Sequence, residues 1–281
     1  MQLVAIGDKV PLGTYQFHSR FAHVVNYRNE SCIISFIDDD KNLSGRTLHV
    51  SELPLSNDPV QISCSHVTVA GTRVCRARAQ TYDSTWQGFS PKQDLSAFVS
   101  AMKSALDDRA PERSLAVLYH PRHARGFASG FERAVLDRFF QAFDTLRRGD
   151  VVGSVERFKG VGFGLTPSGD DFIIGLLQAL SSLPPSGTLR TLKQDILEKA
   201  SGCNELSWQF MRDAEAGIHP KDIKELFTAA RDRNANGVKR HTGNVLSHGH
   251  SSGADTIAGL IAGFEWFSAR HGVVAAIRMR G

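Results

Sequence analysis

Apolar positions in the first ninety or so residues come in short runs broken by polar ones. Ala22–Tyr27, Ser31–Ile37, Thr47–Val50, Val60–Ser65 and His66–Ala79 are rich in Val, Ile, Thr and Phe, residues that fit a pleated, half-buried surface. Asn29, the acidic run Asp38–Asp40, Asn42 with Gly45, and the stretch 56–59 separate them, each with turn chemistry. Strands at such close spacing predict a small barrel or sandwich. Beyond Pro91 the apolar spacing becomes helical. Leu95, Phe98, Val99, Met102 and Leu106 form a stripe over Asp94–Asp107, and Phe131, Val135, Phe139 and Phe143 form one over Gly130–Arg148. Further helices are predicted over Asp170–Leu183, Leu189–Ala200, Cys203–Ala216, Ile223–Arg231 and Asp255–Arg270. Leu115–Tyr119 reads as one more strand or a buried turn. Asn234–Gly243 is polar and aperiodic and reads as a mobile loop. The fold class is α+β. A β-rich barrel or sandwich over 1–90 precedes a mainly helical domain over 91–281 with paired repeat helices.

The helical part says one thing twice. Ser168-Gly-Asp-Asp-Phe-Ile-Ile-Gly-Leu-Leu returns, 84 residues on, as Ser252-Gly-Ala-Asp-Thr-Ile-Ala-Gly-Leu-Ile. Each copy is a polar, glycine-bearing loop running into an apolar helix. Such a helix start offers unpaired N–H groups and the positive end of the dipole to an anion. Gly175, Gly259 and Gly263 lie inside the repeat helices, where glycine costs stability. Close helix–helix contact would explain them and would set the two helix starts side by side.

The first loop supplies Gly160, Gly162, Gly164, Thr166, Ser168 and Gly169, a permissive backbone with hydroxyls for capping or binding. It is neither a Walker A loop, which needs Gly-Lys-Ser/Thr, nor a dinucleotide fingerprint, since Leu165 stands at the third glycine. The second supplies His248, His250, Ser252, Gly253, Asp255 and Thr256. His-x-His is a spacing metal sites also use, but with only carboxylates available no metal site is assigned. His250 with Asp255 or Asp171 would make a proton-transfer couple. The acid pair Asp170 and Asp171, beside Asp255, would compete with an anion unless a proton, a cation or a neutral reacting group intervenes. Either Mg²⁺ bridges them, or one Asp caps its own loop while another acts as a base. Asn204, Glu205 and Ser207 lie on a helix that either crosses near this place or presents an ordinary polar face.

Composition narrows the classes. With 41% hydrophobic and 22% charged residues, 281 residues can bury a sizeable core. No run approaches the roughly 20 apolar residues of a membrane-spanning helix, and Met1–Asp8 does not read as a signal peptide. Cys32, Cys64, Cys75 and Cys203 show no Cys-x-x-Cys spacing, so the expectation is reduced thiols in a cytoplasmic protein. A net charge of +4 is dispersed. Arg73, Arg76 and Arg78 alternate with apolar residues and fit the solvent face of a strand better than a nucleic-acid patch.

Two motifs together resemble one family. Gly162, Gly164, Leu165, Thr166, Pro167, Ser168, Asp170 and Asp171, with Gly249, His250, Ser252, Gly253, Ala254, Asp255 and Thr256, look like the AllH-type subunit of oxamate carbamoyltransferase, a bacterial domain of anaerobic allantoin degradation. A fainter likeness runs from Ser207 to Gly217. Phe163 stands where the relative has Pro, and His248 has no counterpart. The likeness covers about the last 130 residues and is thin over the β-rich part. It implies a subunit exchanging a carbamoyl group between carbamoyl phosphate and oxamate, with partner subunits. His250, Asp171 and Asp255 are then the catalytic candidates, with amides near Gly164 and Gly253 facing the developing oxyanion. Gly162, Gly164, Thr166, Ser168, Gly169, Asp170, Ser207, Ser252, Gly253 and Thr256 are the substrate-binding candidates. Two other readings stay open: a non-catalytic metabolite-binding or regulatory subunit, and a Mg-nucleotide-dependent kinase or ligase. No cofactor beyond such a Mg²⁺ is implied, and assembly into a homo-oligomer is left open.

Overall fold

A computed structural model describes residues 1–271 and divides into two compact units. The first comprises Met1–Trp86 and Ile218–Lys224. Its strands are β1 (Leu3–Gly7), β2 (Gly13–Arg20), β3 (Val24–Arg28), β4 (Ile33–Ile37), β5 (Thr47–Val50), β6 (Val60–Ile62), β7 (His66–Val69), β8 (Thr72–Cys75) and β9 (Gln80–Tyr82). They form one sheet, curled as a half-barrel, in the order β8-β7-β6-β2-β3-β4-β5-β1-β9. Most neighbours are antiparallel, while β4 with β5 and β1 with β9 run parallel. The inner face holds Tyr15, Tyr27, Phe36, Leu48 and Val60, all fully buried, with Tyr27 and Phe36 edge to face at 5.5 Å.

The segment His66–Ala79, expected as one strand, is a hairpin followed by a turn. Ala70 and Gly71 both take positive φ, 48° and 77°, the geometry a two-residue hairpin turn requires. Arg73 therefore sits on β8, while Arg76 and Arg78 belong to a 3-10 turn and not to a strand face.

The second unit comprises Gln87–Gly217 and the chain from Glu225 onward. Its helices are α1 (Ser96–Arg109), α2 (Gly130–Arg147), α3 (Val151–Phe158), α4 (Ser168–Ser182), α5 (Gly187–Ala200), α6 (Glu205–Glu215), α8 (Ala235–Leu246) and α9 (Ser252–His271). Helix α7 (Lys221–Arg231) straddles the division. The α+β class is thus as expected. Leu115–Leu118 is a buried 3-10 turn, the second of the two forms foreseen.

Polar caps set several helix starts. Ser129 and Glu132 form a capping box on α2, and Asp150, Ser186 and Asn204 accept from their third-residue amides. Asn234 does the same for α8, accepting from Gly237 N at 2.9 Å. The mobile loop expected over Asn234–Gly243 is therefore a helix. Of its buried stripe, Val245 and Leu246 lie beyond the polar stretch and only Val238 and Thr242 within it, with a single apolar side chain between them, which is why the period is invisible there.

Helix α4 is buried on nearly every side, as expected of a helix apolar all round. It packs lengthwise on α9. A Cβ on Gly175 would stand 2.0 Å from Thr256 O, and one on Gly259 would stand 2.0 Å from Phe172 O. The contact is reciprocal, because 172 and 175 are the counterparts of 256 and 259. Phe158 stacks on Phe172 at 4.2 Å and fixes α3 against the same helix.

Candidate functional site

Each repeat is a helix–loop–helix. In the first, Val161 N donates to Phe158 O, and Gly169 N donates to Val161 O. In the second, His248 N donates to Val245 O, and Gly253 N donates to His248 O. A Cβ at Gly169 would meet Phe158 O at 1.9 Å, and one at Gly253 would meet Val245 O at 1.9 Å. Glycine lets each second helix start directly against the end of the helix before it. The caps keep the offset of 84 (Asp150 and Asn234), but Phe158 and Val245 stand 87 apart. Helix α8 is thus longer than α3, and the loop after it is shorter by as much.

The two helix starts meet. Thr166 Oγ1 lies 3.1 Å from Asp171 Oδ2, to which it donates, and 3.4 Å from Ser252 Oγ of the other loop. The Ser252 hydroxyl bears on the Asp171 carboxyl, and the Ser168 hydroxyl bears on that of Asp255. Each repeat's serine thus serves the other repeat's aspartate. Both carboxyls are buried, Asp255 completely. Asp255 Oδ1 accepts from Leu115 N at 2.6 Å, while its Oδ2 is buried without a hydrogen bond.

Burial dominates the electrostatics. Loss of water pushes the Asp255 carboxyl up to about 7, against the pull of Leu115 N–H, Ser168 and Ser251. Burial also raises Asp171 well above the usual carboxylate range, and the neighbouring Asp255 raises it further. A buried pair of this kind retains a proton at neutral pH rather than two negative charges.

Asp170 points elsewhere. It accepts from Gly160 N at 2.8 Å, tying the first loop to its own helix. Its Oδ2 and Ser207 Oγ are buried without hydrogen bonds, so Ser207 acts on it through a longer contact that lowers its pKa. Burial is the larger effect and raises it. Asn204, capping α6, also donates to Leu165 O at 2.8 Å and holds the loop's outer edge.

Among the expected residues, Thr166, Ser168, Asp171, Ser252 and Asp255 therefore come together. Asp170 and Ser207 form a second, adjoining polar pocket, and Thr256 is half-buried on the first turn of α9. Gly162 and Gly164 take positive φ, 124° and 92°, the left-handed region glycine allows. His250 is exposed and makes no hydrogen bond or ion pair with Asp171 or Asp255, so the expected couple is not formed. The amides of Gly169 and Gly253 serve their own loops. Gly253 is thus not an open oxyanion donor. Among the described residues no group of three or more His, Cys, Asp or Glu side chains is placed to hold a metal ion. Leu115 went unforeseen: its amide acts through the backbone, which no side-chain pattern announces.

All four cysteines are free. Among the described residues, no helix is long and apolar enough to cross a membrane. No curated protein and no solved structure matches the chain. Residues 158–264, from the end of α3 through both loops and most of α9, match the family model described as oxamate carbamoyltransferase subunit AllH, and the AllH-type resemblance carried by the two loops is borne out over that segment.

Proposed function

We propose that this chain is a subunit of a carbamoyltransferase whose substrates are small anions bearing an amide or carbamoyl nitrogen, of the carbamoyl phosphate and oxamate type. The observation that carries the reading is the convergence of Asp171 and Asp255 from two equivalent loops within the family-matched segment. Two ionised carboxylates would repel an anionic substrate. A pair holding one proton instead offers an acceptor for a substrate N–H and a donor for a substrate oxygen. That answers the tension between acids and anion without a cation.

In the transfer, the oxamate nitrogen attacks the carbamoyl carbon. The bond from that carbon to the phosphate oxygen breaks, and phosphate leaves. The nitrogen's proton passes to Asp171, which a raised affinity for protons suits to act as base. Asp255 carries the proton the pair retains, which leaves Asp171 ionised to accept. The amide of Gly164, on the exposed side of the first loop, is the remaining oxyanion donor of the pair named from the sequence. His250 stands at the rim and would act only on a bound substrate. As the family description speaks of a subunit, partner proteins are part of the proposal.

The test is turnover of the assembled enzyme. Asp171→Asn should lower oxalurate formation about 10²- to 10⁴-fold, the usual share of a positioned base, with an unchanged circular dichroism spectrum. His250→Ala should lower it too. Near-normal rates in both variants would overturn the assignment.

A further inference from the structure

A cleft of ≈ 410 Å³ opens where the end of α2 meets the second half of α9. We infer that it is a binding site for an organic phosphate of about nucleotide size, separate from the paired loops. Trp266 lies eleven residues after Asp255 on α9, about 16 Å further along the helix at 1.5 Å per residue.

The donor set points to an anion. Arg147, Arg148 and Arg270 all line the cleft. Arg270 is held in place, its guanidinium 4.7 Å from the Trp266 ring centre and its Nη2 donating to Gly149 O at 3.1 Å. Arg147 and Arg148 are exposed and have no carboxylate partner among the described residues. The one acid in the wall, Glu265, is paired with Lys103. Trp266 Nε1 is itself buried, so what Trp266 gives the cleft is the ring that holds Arg270.

A basic residue at the end of α2 suits the helix dipole. The same holds for Arg270 in the last turn of α9, but neither dipole by itself explains why three guanidinium groups from two helix ends line one cleft. Three guanidinium forks match the charge and three terminal oxygens of a phosphate monoester better than a single carboxylate. The volume falls in the range of small-molecule sites, far more than inorganic phosphate would fill. Phe143 and Leu146 give the remaining wall an apolar surface for the ligand's body.

The experiment is calorimetric titration of the full chain with AMP, adenosine and inorganic phosphate in turn. AMP should bind, and adenosine and inorganic phosphate should each bind at least tenfold more weakly. The double variant Arg147→Ala, Arg148→Ala should weaken AMP at least tenfold. Trp266→Ala, which removes the ring that holds Arg270, should weaken it severalfold. Asp171→Asn should leave AMP affinity unchanged, so failure here is separable from failure of the carbamoyltransferase reading. Absence of AMP binding, equal affinity for adenosine, equal affinity for inorganic phosphate, insensitivity to both cleft variants, or loss in Asp171→Asn would each overturn the inference.

Discussion

Asp255 carries its charge at a cost. In an unfolded chain its carboxyl would titrate near 3.8, whereas in the folded protein burial holds it at about 7. Between those values the folded state binds more protons than the unfolded state, so stability falls as pH rises. The contribution is fully present below about 3.8 and lost as pH passes through about 7. Asp171 and Asp170 are raised as well and act in the same direction. Asp255→Asn keeps an oxygen for Leu115 N and removes both the titrating group and its charge beside Asp171. It should therefore flatten the decline and raise stability at pH 8, by about 4 kcal/mol at most, the worth of holding a carboxyl at about 7 rather than 3.8. Unfolding midpoints from pH 5 to pH 8 check this, and a variant that loses stability in parallel with the wild type would sink it. Sequence named Ser168, Asp171, Ser252 and Asp255 because the repeat places them in register. It could not show that Asp170 turns away to Gly160, or that Gly253 N is taken by His248 O. Those outcomes depend on loop backbone paths that glycine leaves open.

At the level of elements, the repeat was legible in α4 and α9 because both are apolar enough to carry the pattern unaided. Their partners α3 and α8 were not. Helix α3 has only eight residues, and α8 hides its stripe behind a polar first half. Asn234→Ala should cost about 1 kcal/mol, the usual worth of an N-cap, measured by denaturant unfolding. A loop at that place would lose nothing. The glycines make a sharper case. Gly259→Ala would drive a methyl group into Phe172 O on α4, and both helices are too buried to part without exposing core. The expected loss is about 3 kcal/mol or more, the upper end for overpacking, or failure to fold. Gly187→Ala, at the first position of α5, meets nothing within 4 Å. It should gain about 0.5 kcal/mol by restricting the unfolded chain. Similar midpoints for the two variants would mean that α4 and α9 are not held by backbone contact.

On the scale of the whole molecule, the sheet unit is not continuous in sequence. Residues 218–224 return to it. His219 N donates to Ser84 O at 2.9 Å, Tyr82 Oη donates to His219 O at 2.9 Å, and Lys221 N donates to Leu43 O at 2.8 Å. Gly45 is bare because a side chain there would strike Ile218 at 2.7 Å. Lys221 pairs with Asp40 and holds its carboxyl below the usual carboxylate range. A boundary drawn where strand patterns give way to helix patterns cannot see this return, because periodicity reports neighbours in sequence and Tyr82 and His219 are 137 residues apart. The β2 and β9 strands escaped for a related reason. Their polar positions are filled by His, Ser, Arg and Gln, and sheet pairing supplies what local preference lacks. The returning segment should behave as a ligand of the sheet. A fragment of residues 1–86 would lack these backbone bonds and leave Ser84 O and Leu43 O unpaired. A synthetic peptide of residues 217–225 should raise its unfolding midpoint progressively with concentration, since anything binding only the folded state stabilises it by mass action. A peptide with Lys221 replaced by Pro cannot donate to Leu43 O and should stabilise less. If excess native peptide leaves the midpoint unchanged, the segment is a passenger on the sheet rather than part of it.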